Sequence, residues 1–258
     1  MLRSPYATVT GTTLAGGFVV RLVHRAVSAV AVGGQPPAEA ILSAVEGITP
    51  MTPLLAQTDN ADYIEQVLLE AARRPDAKEW QRERIIVHQL GAAAQAPPLD
   101  PRATIRLLTT ADALGHLPPG LRHELIHARE MAPVGAVFAD NLPVSFCYPC
   151  WRTESLWDVS IDTLAGHRGR GFAWHVAQFM MVQLERDGLA PVWAALESND
   201  ISLRLARRLG FTPVDESVVF SRGAWAFLSG GYKGFSAGSA SSVLIGGLHF
   251  AALRGLLV

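Results

Sequence analysis

The residue run with the plainest chemistry in this chain is Arg168-Gly169-Arg170-Gly171-Phe172-Ala173. An alternating segment, Leu156 to Thr163, precedes it and reads as a strand. A helical pattern from Phe172 to roughly Arg186 follows it. Amide N–H groups at a helix start have no intrahelical partner, and the helix dipole favours anions there. Glycines let the backbone approach a ligand, and arginines add charge. The combination predicts a site for a phosphate-bearing ligand. Two familiar versions of such a site do not fit. No Lys-Ser or Lys-Thr pair follows Gly171, as a Walker loop requires, and Ala173-Trp174 stands where a dinucleotide fingerprint needs its third glycine.

Two other groupings could do chemistry. His123-Glu124-Leu125-Ile126-His127 is a literal His-Glu-x-x-His, which on a helix sets two imidazoles one turn apart with a carboxylate between them. Zinc hydrolases hold metal and general base in this way. No Gly-x-x-His extension follows, Pro133 ends the helix, and no third ligand suggests itself, so an outward-facing histidine pair is the preferred reading. Cys147-Tyr148-Pro149-Cys150 is a lone Cys-x-x-Cys flanked by strands rather than by a helix N-terminus. It reads as small buried residues, and no metal is expected.

A second segment changes the weight of the first. Asn199-Asp200-Ile201-Ser202 followed by Leu205-Ala206-Arg207-Arg208-Leu209-Gly210-Phe211 has an N-capping Asn and a C-terminal Gly stop. Between the two segments, Pro191 to Leu196 reads as a strand. Together, Arg168-x-x-Gly171-x-Ala173 and the Asn-start, Leu-Gly-Phe-stop helix resemble the acyl-CoA loop and late helix of the GCN5-related N-acetyltransferase (GNAT) superfamily. The resemblance covers about Ala103 to Arg222.

It implies an enzyme that transfers an acyl group, most simply acetyl from acetyl-CoA, to a primary amine on a small molecule or peptide by direct attack. The amides of Gly169, Arg170, Gly171, Phe172 and Ala173 would hold the pyrophosphate, assisted by the Arg168 and Arg170 side chains. The backbone of Thr163 and Leu164 would pair with the pantetheine arm, and Asn199 would contact the cofactor near the acyl end. Asp158 stands about where some members carry a general base, and Glu154 is the second candidate. The family's usual general-acid Tyr, three residues before the Leu-Gly-Phe stop, is here Ala206. Water, Ser202 or a substrate group would then protonate the thiolate, or the protein would bind acyl-CoA without transferring the acyl group.

These residues need elements to hold them. After the linker Gln95 to Pro101, the sequence predicts strand Thr104–Leu108, a helix start at Thr110-Ala111-Asp112, and helix Leu121–Met131. A hairpin of Val134–Ala139 and Pro143–Cys147 follows around Asp140-Asn141, then strand 156–163, helix 172–186, strand 191–196, helix 200–209 and strand 217–221. This is an α/β fold: a mixed, mostly antiparallel sheet flanked by helices. Residues 1–102 read as a mainly helical extension, with helices at Ala38–Val45, Ala61–Arg74 and Trp80–Leu90. Residues 103–222 form the acyltransferase-like domain, and 223–258 a Gly/Ala-rich apolar tail.

Composition bounds the whole. The 258 residues are 49% hydrophobic and only 17% charged, which excludes a disordered chain. A formal net charge of −1 with scattered arginines gives no basic face for nucleic acid. Two cysteines are too few for a disulfide framework. No stretch reads as a targeting signal or a membrane span, so the expected setting is cytoplasmic. The tail could serve as an oligomer contact.

Overall fold

A computed structural model describes residues 8–24, 27–45, 53–71, 80–92 and 95–222. Eleven strands form one sheet in the order β1-β2-β3-β4-β11-β5-β10-β9-β8-β7-β6. The strands are β1 (Thr8–Leu14), β2 (Gly17–His24), β3 (Val27–Gly34), β4 (Leu54–Gln57), β5 (Trp80–Leu90) and β6 (Thr104–Leu107), then β7 (Gly135–Ala139), β8 (Leu142–Arg152), β9 (Leu156–Thr163), β10 (Ala190–Leu196) and β11 (Phe211–Arg222). The helices are α1 (Ala38–Val45), α2 (Ala61–Ala71), α3 (Pro119–Met131), α4 (Phe172–Glu185) and α5 (Asp200–Arg208). Only β3–β4 and β9–β10 pair in parallel. The mixed, mostly antiparallel sheet expected from the sequence is present.

The expectation of a mainly helical first 102 residues is corrected. Five strands and two helices are described before the linker. Trp80–Leu90 is the longest of those strands, not a helix. Its period is two: Ile85 and Val87 join the apolar cluster with Val192, Ala194 and Val219, while Ile86 and Leu90 pack on the opposite face. A strand between two others is apolar on both faces, and a short run of that kind also satisfies a helical period. Arg82 and Arg84 sit among carboxylates: Arg82 bonds Asp62 and Glu65, and Arg84 bonds Glu197 and Glu216.

The linker is not a break in the sheet. β5, from before it, lies between β10 and β11, from after it. The helix start expected at Thr110 is instead a turn. There the Asp112 carboxylate accepts the Thr109 N–H (2.6 Å) and pairs with Arg106 (2.6 Å). The Asp140-Asn141 hairpin is as expected, with both residues at positive φ (49° and 63°). The 223–258 tail lies outside the described residues.

Helices α4 and α5 cover one face of the C-terminal half of the sheet. Trp157, Val159 and Ile161 of β9 pack against Phe172, Val176, Met180 and Leu184 of α4 in the largest apolar cluster. Leu121, Leu125 and Ala128 of α3 cover the other face, against Phe138, Phe146 and Tyr148. Successive side chains of β9 therefore point to different layers: odd positions to α4, and Asp158, Ser160 and Asp162 to the opposite face.

Candidate active site

β9 and β10 are bonded only at their starts. The parallel pairing runs Ala190↔Leu156, Pro191↔Trp157 and Val192↔Asp158, and then stops. Beyond it the strands part and a wedge opens. Bonding alternates along an antiparallel pair, and Leu164 N–H donates to Val144 O (2.9 Å) across β8. The peptide groups of Thr163 therefore turn the other way, toward the wedge, where its carbonyl accepts Arg168 Nε–H (3.2 Å). Those of Leu164 do not, since its carbonyl also accepts His167 N–H (2.8 Å). The expectation that Leu164 pairs with an arm in the cleft is corrected, since both its peptide groups are already bonded.

A cleft of about 580 Å³ fills the wedge and its mouth, lined by Ile161, Thr163, Trp193 and the loop His167–Trp174, with Ile201, Ser202 and Leu205 from α5. Gly169 and Gly171 both take left-handed φ (75° and 77°), conformations that glycine adopts at little cost. The turn aims successive amides into the cleft. Among the described residues, the amides of Gly169 to Trp174 make no backbone hydrogen bond, and the first is His175 N–H to Gly171 O. These are the orphan donors of a helix start. Guanidinium groups ring them: Arg168, Arg170, Arg204 and Arg208 all line the cleft. The first two were expected from the loop. The latter two come from the stripe Ile201-Arg204-Leu205-Arg208, whose spacing on a helix capped at Asn199 was legible.

Arg170 is held from outside the loop. It donates to Asp100 Oδ2 (2.6 Å), and its guanidinium lies 4.8 Å from the Phe172 ring centre. The Arg102 N–H, Arg170 and the Arg102 side chain together hold Asp100 down at about 2, so it is charged at any working pH. Asp100 belongs to the linker, and Pro97 and Pro98 of the same segment form one wall of the cleft.

At the inner end, Asn199 caps α5 by accepting Ser202 N–H on Oδ1 (3.1 Å). Its buried Nδ2 has no partner among the described residues, a donor that a ligand carbonyl would satisfy. Ser202 Oγ accepts Trp193 Nε1–H (2.9 Å), leaving its own proton free to point elsewhere. Ala206 is fully buried and contributes nothing to the lining.

Asp158 sits at the vertex. It is 2% exposed, and its carboxylate accepts the Ala194 and Val159 N–H groups. Burial nevertheless dominates and pushes its pKa well above the usual carboxylate range. Glu154 is elsewhere: exposed, in the turn before β9, about 30 Å of strand from Thr163 at ~3.3 Å per residue. Asp158 thus stands on the last paired rung, buried on the face away from α4 and outside the cleft lining, and Glu154 lies farther off.

The His-Glu-x-x-His residues do not converge. His123 and His127 face outward with their Nε2 atoms 3.1 Å apart, while Glu124 turns inward to the Tyr148 hydroxyl, whose single proton lies between the Glu124 and Asp162 carboxyl groups (2.8 Å to Asp162). Among the described residues no three metal-ligating side chains cluster. Cys147 is a free, fully buried thiol raised by desolvation.

Comparison with known proteins bears on the same region. The model of a family described as GNAT acetyltransferase matches residues 134–220. An uncharacterized N-acetyltransferase of Bacillus subtilis (strain 168), YdfB, is 32% identical over 88 residues, 34% of either chain. The match thus spans about a third of that curated relative's length. Among solved structures, a GCN5-related N-acetyltransferase-like protein from Streptococcus suis superposes with TM-score 0.58 at 14% identity, over 83% of this chain and 88% of that one. A GCN5-related N-acetyltransferase from Kribbella flavida gives 0.55 at 15%, over 85% and 90%. A tandem GNAT protein from the clavulanic acid biosynthesis pathway gives 0.50 at 13%, over 85% and 84%. The structural likenesses establish the fold, and the family-model match falls on the unit that carries the glycine loop, the wedge and the capped helix. Residues 134–220 thus match the GNAT acetyltransferase family, and the chain as described shares the fold of the GCN5-related N-acetyltransferases.

Proposed function

We propose that the protein is an acyl-CoA-dependent N-acyltransferase that moves acetyl from acetyl-CoA to a primary amine of a small molecule or peptide. The observation that carries this reading is the row of unpartnered amides from Gly169 to Trp174, ringed by four arginines at the mouth of a wedge with a carboxyl group at its vertex. The amides and the Arg168 and Arg170 side chains bind the pyrophosphate. The remaining cationic groups, Arg204 and Arg208, suit a further phosphate. Thr163 presents its N–H to an extended arm, and the Asn199 amide meets a carbonyl near the acyl end. Bound acetyl-CoA supplies the thioester.

Asp158 takes the proton from the incoming ammonium, and a base with a raised pKa is better matched to that proton than an ordinary carboxylate. The amine nitrogen then forms its bond to the acyl carbon as the carbon–sulfur bond breaks. The departing thiolate takes a proton through water or the Ser202 hydroxyl, and that donor is replenished by the second proton that the acylated nitrogen releases.

Calorimetric titration with acetyl-CoA tests the reading, on wild type and on Gly171→Glu. Saturable binding to wild type and none to the variant supports it. No binding to folded wild type sinks it.

Ala206 favours a second reading. It is buried where a phenol would serve as general acid, and among the described residues no tyrosine lines the cleft. Under that reading acetyl-CoA binds, and no amine in a panel of small amines, amino acids and peptides is acylated.

A further inference from the structure

The strand order is a palindrome. In one half of the chain β1, β2 and β3 form an antiparallel meander, α1 crosses to β4 in parallel with β3, and α2 leads to β5. In the other half β7, β8 and β9 form the same meander, α4 crosses to β10 in parallel with β9, and α5 leads to β11. Each half's final strand then pairs outside its own half: β5 lies on β10 and β11 lies on β4, both antiparallel, with β5 and β11 joined along the centre. Exchanging the two sets of labels and reading backwards returns the same order, apart from β6 at the edge. α1 and α2 pack with Val218 and Phe220, and α4 and α5 with Ile86, residues that share one face of the central pair. The halves are therefore related by an approximate two-fold axis through the sheet.

What differs between the halves is the place where a ligand would enter. In the first, β3 and β4 stay paired through Val32↔Ala56, one residue short of the end of β4. Asn60 precedes α2 as Asn199 precedes α5, and its backbone carbonyl accepts Ile64 N–H (3.1 Å). Its side chain is turned inward, 2% exposed, and donates from Nδ2 to Val32 O (3.2 Å) and Gly34 O (2.6 Å). The turn from β3 to α1 is Gln35-Pro36-Pro37: Gln35 N–H is used by Gly16 O (2.7 Å), and the prolines have no N–H. Tyr63 donates to Pro36 O (2.6 Å). Among the described residues, only the Ala38 and Glu39 amides are left without a backbone acceptor there, against six from Gly169 to Trp174, and the side-chain amide of Asn60 holds the end of β3.

The first half still touches the working site. Past Val192, β10 has lost β9, and its sheet partner for Trp193–Leu196 is β5. His88 of β5, directly opposite Trp193, is 3% exposed. Its ring Nδ1–H is shared between Ile86 O (3.2 Å) and Trp193 O (3.3 Å). Burial lowers its pKa, so the ring is neutral at pH 7 with a single proton to place.

We infer that the chain is a tandem of two copies of one unit that have exchanged their last strands, that Asn60 seals the N-terminal copy against acyl-CoA, and that this copy serves the other through β5, whose His88 positions Trp193 at the open wedge. The last two clauses rest on the cofactor reading above, and the sealing of the first wedge does not.

Titration of the full chain with acetyl-CoA, with hydrogen exchange followed by mass spectrometry, tests the inference. One equivalent binds per chain, and protection rises in peptides covering 159–173 and 193–202 but not in 30–41 or 54–64. His88→Ala weakens binding on the order of threefold to tenfold, the worth of one hydrogen bond, and His88→Asn, which keeps an N–H donor near the Nδ1 position, restores most of it. Asn60→Ala speeds exchange in 30–36 without altering acetyl-CoA affinity. Two equivalents per chain, new protection at 30–41, or unchanged affinity in a folded His88→Ala variant would overturn the inference. If no acetyl-CoA binds at all, the cofactor reading falls. The sealed wedge is then judged on the free protein, where slow exchange at 30–36 upholds it and fast exchange refutes it.

Discussion

The Asp158 carboxylate accepts the N–H of Ala194 at the last rung before β9 and β10 part. One side chain thus closes the parallel pairing and stands at the entrance to the unpaired stretch. Asp158→Asn keeps an oxygen for the Ala194 N–H and removes the base. Turnover in the mutant should fall by about 10²- to 10⁴-fold with acetyl-CoA affinity changed less than about twofold. In wild type, kcat should rise with pH through the raised pKa of this group and then level. A flat profile between pH 5 and 8 would count against Asp158 as the base.

The same burial has a stability signature. A carboxyl whose folded pKa lies above its unfolded value binds protons more tightly when folded. Its contribution to stability is complete at low pH, below the unfolded value near 4, and declines as pH rises from there through the folded pKa. Asp158→Asn carries no such charge, so its Tm should exceed that of wild type at pH 8 and converge with it near pH 4. Thermal melts across that range read the difference directly.

Arg170 is oriented by Asp100 at 2.6 Å, a carboxylate fully charged at neutral pH. Removing the guanidinium in Arg170→Ala should weaken acetyl-CoA binding by about tenfold or more, as expected for a charge-assisted hydrogen bond. The remaining affinity should depend less on salt than that of wild type. Titrations at two ionic strengths separate this from a general loss of fold.

Gly169 and Gly171 share a left-handed φ but not their surroundings. A Cβ on Gly169 meets nothing within 4 Å, and one on Gly171 meets Pro97 at 3.5 Å, an ordinary contact. Alanine at either position should therefore cost about 1–2 kcal/mol from backbone strain alone, with similar falls in Tm of roughly 2–8 °C. A much larger fall for Gly171→Ala would mean that Pro97 cannot give way.

Glu124 is committed to Tyr148, and desolvation followed by repulsion from Asp162 raises its pKa. Chelation with EDTA should leave activity unchanged, and elemental analysis should find no stoichiometric zinc. Glu124→Gln, which can still bond the Tyr148 hydroxyl, should turn over within about threefold of wild type. A loss comparable to that of a missing general base would revive the metal reading.

Sequence was informative where structure is local. The glycine turn, the Asn199 cap and the Leu-Gly-Phe stop each depend on the conformation of a few consecutive residues, and those could be read directly. Asp158 over Glu154 was not decidable, because β9's alternation says which face a side chain takes but not where β10 departs. Leu164 was misassigned by one residue, since the parity of bonding depends on Val144 across the hairpin. His88 carried no signal: its partner Trp193 is over a hundred positions away, and one buried histidine resembles another. Trp80–Leu90 went wrong for a related reason. A strand apolar on both faces hides its two-residue period in the sequence, and its neighbours come from the far half of the chain.

The exchange of β5 and β11 also has a consequence for the nascent chain. When β5 leaves the ribosome, its partner β10 begins a hundred residues downstream and β11 follows later still. At ordinary synthesis rates that is a wait on the order of ten seconds, during which Ile85 and Val87 have no sheet to join. The first unit cannot lock before the last strand is made. Folding of the two halves should then be a single late event, set by the emergence of β11.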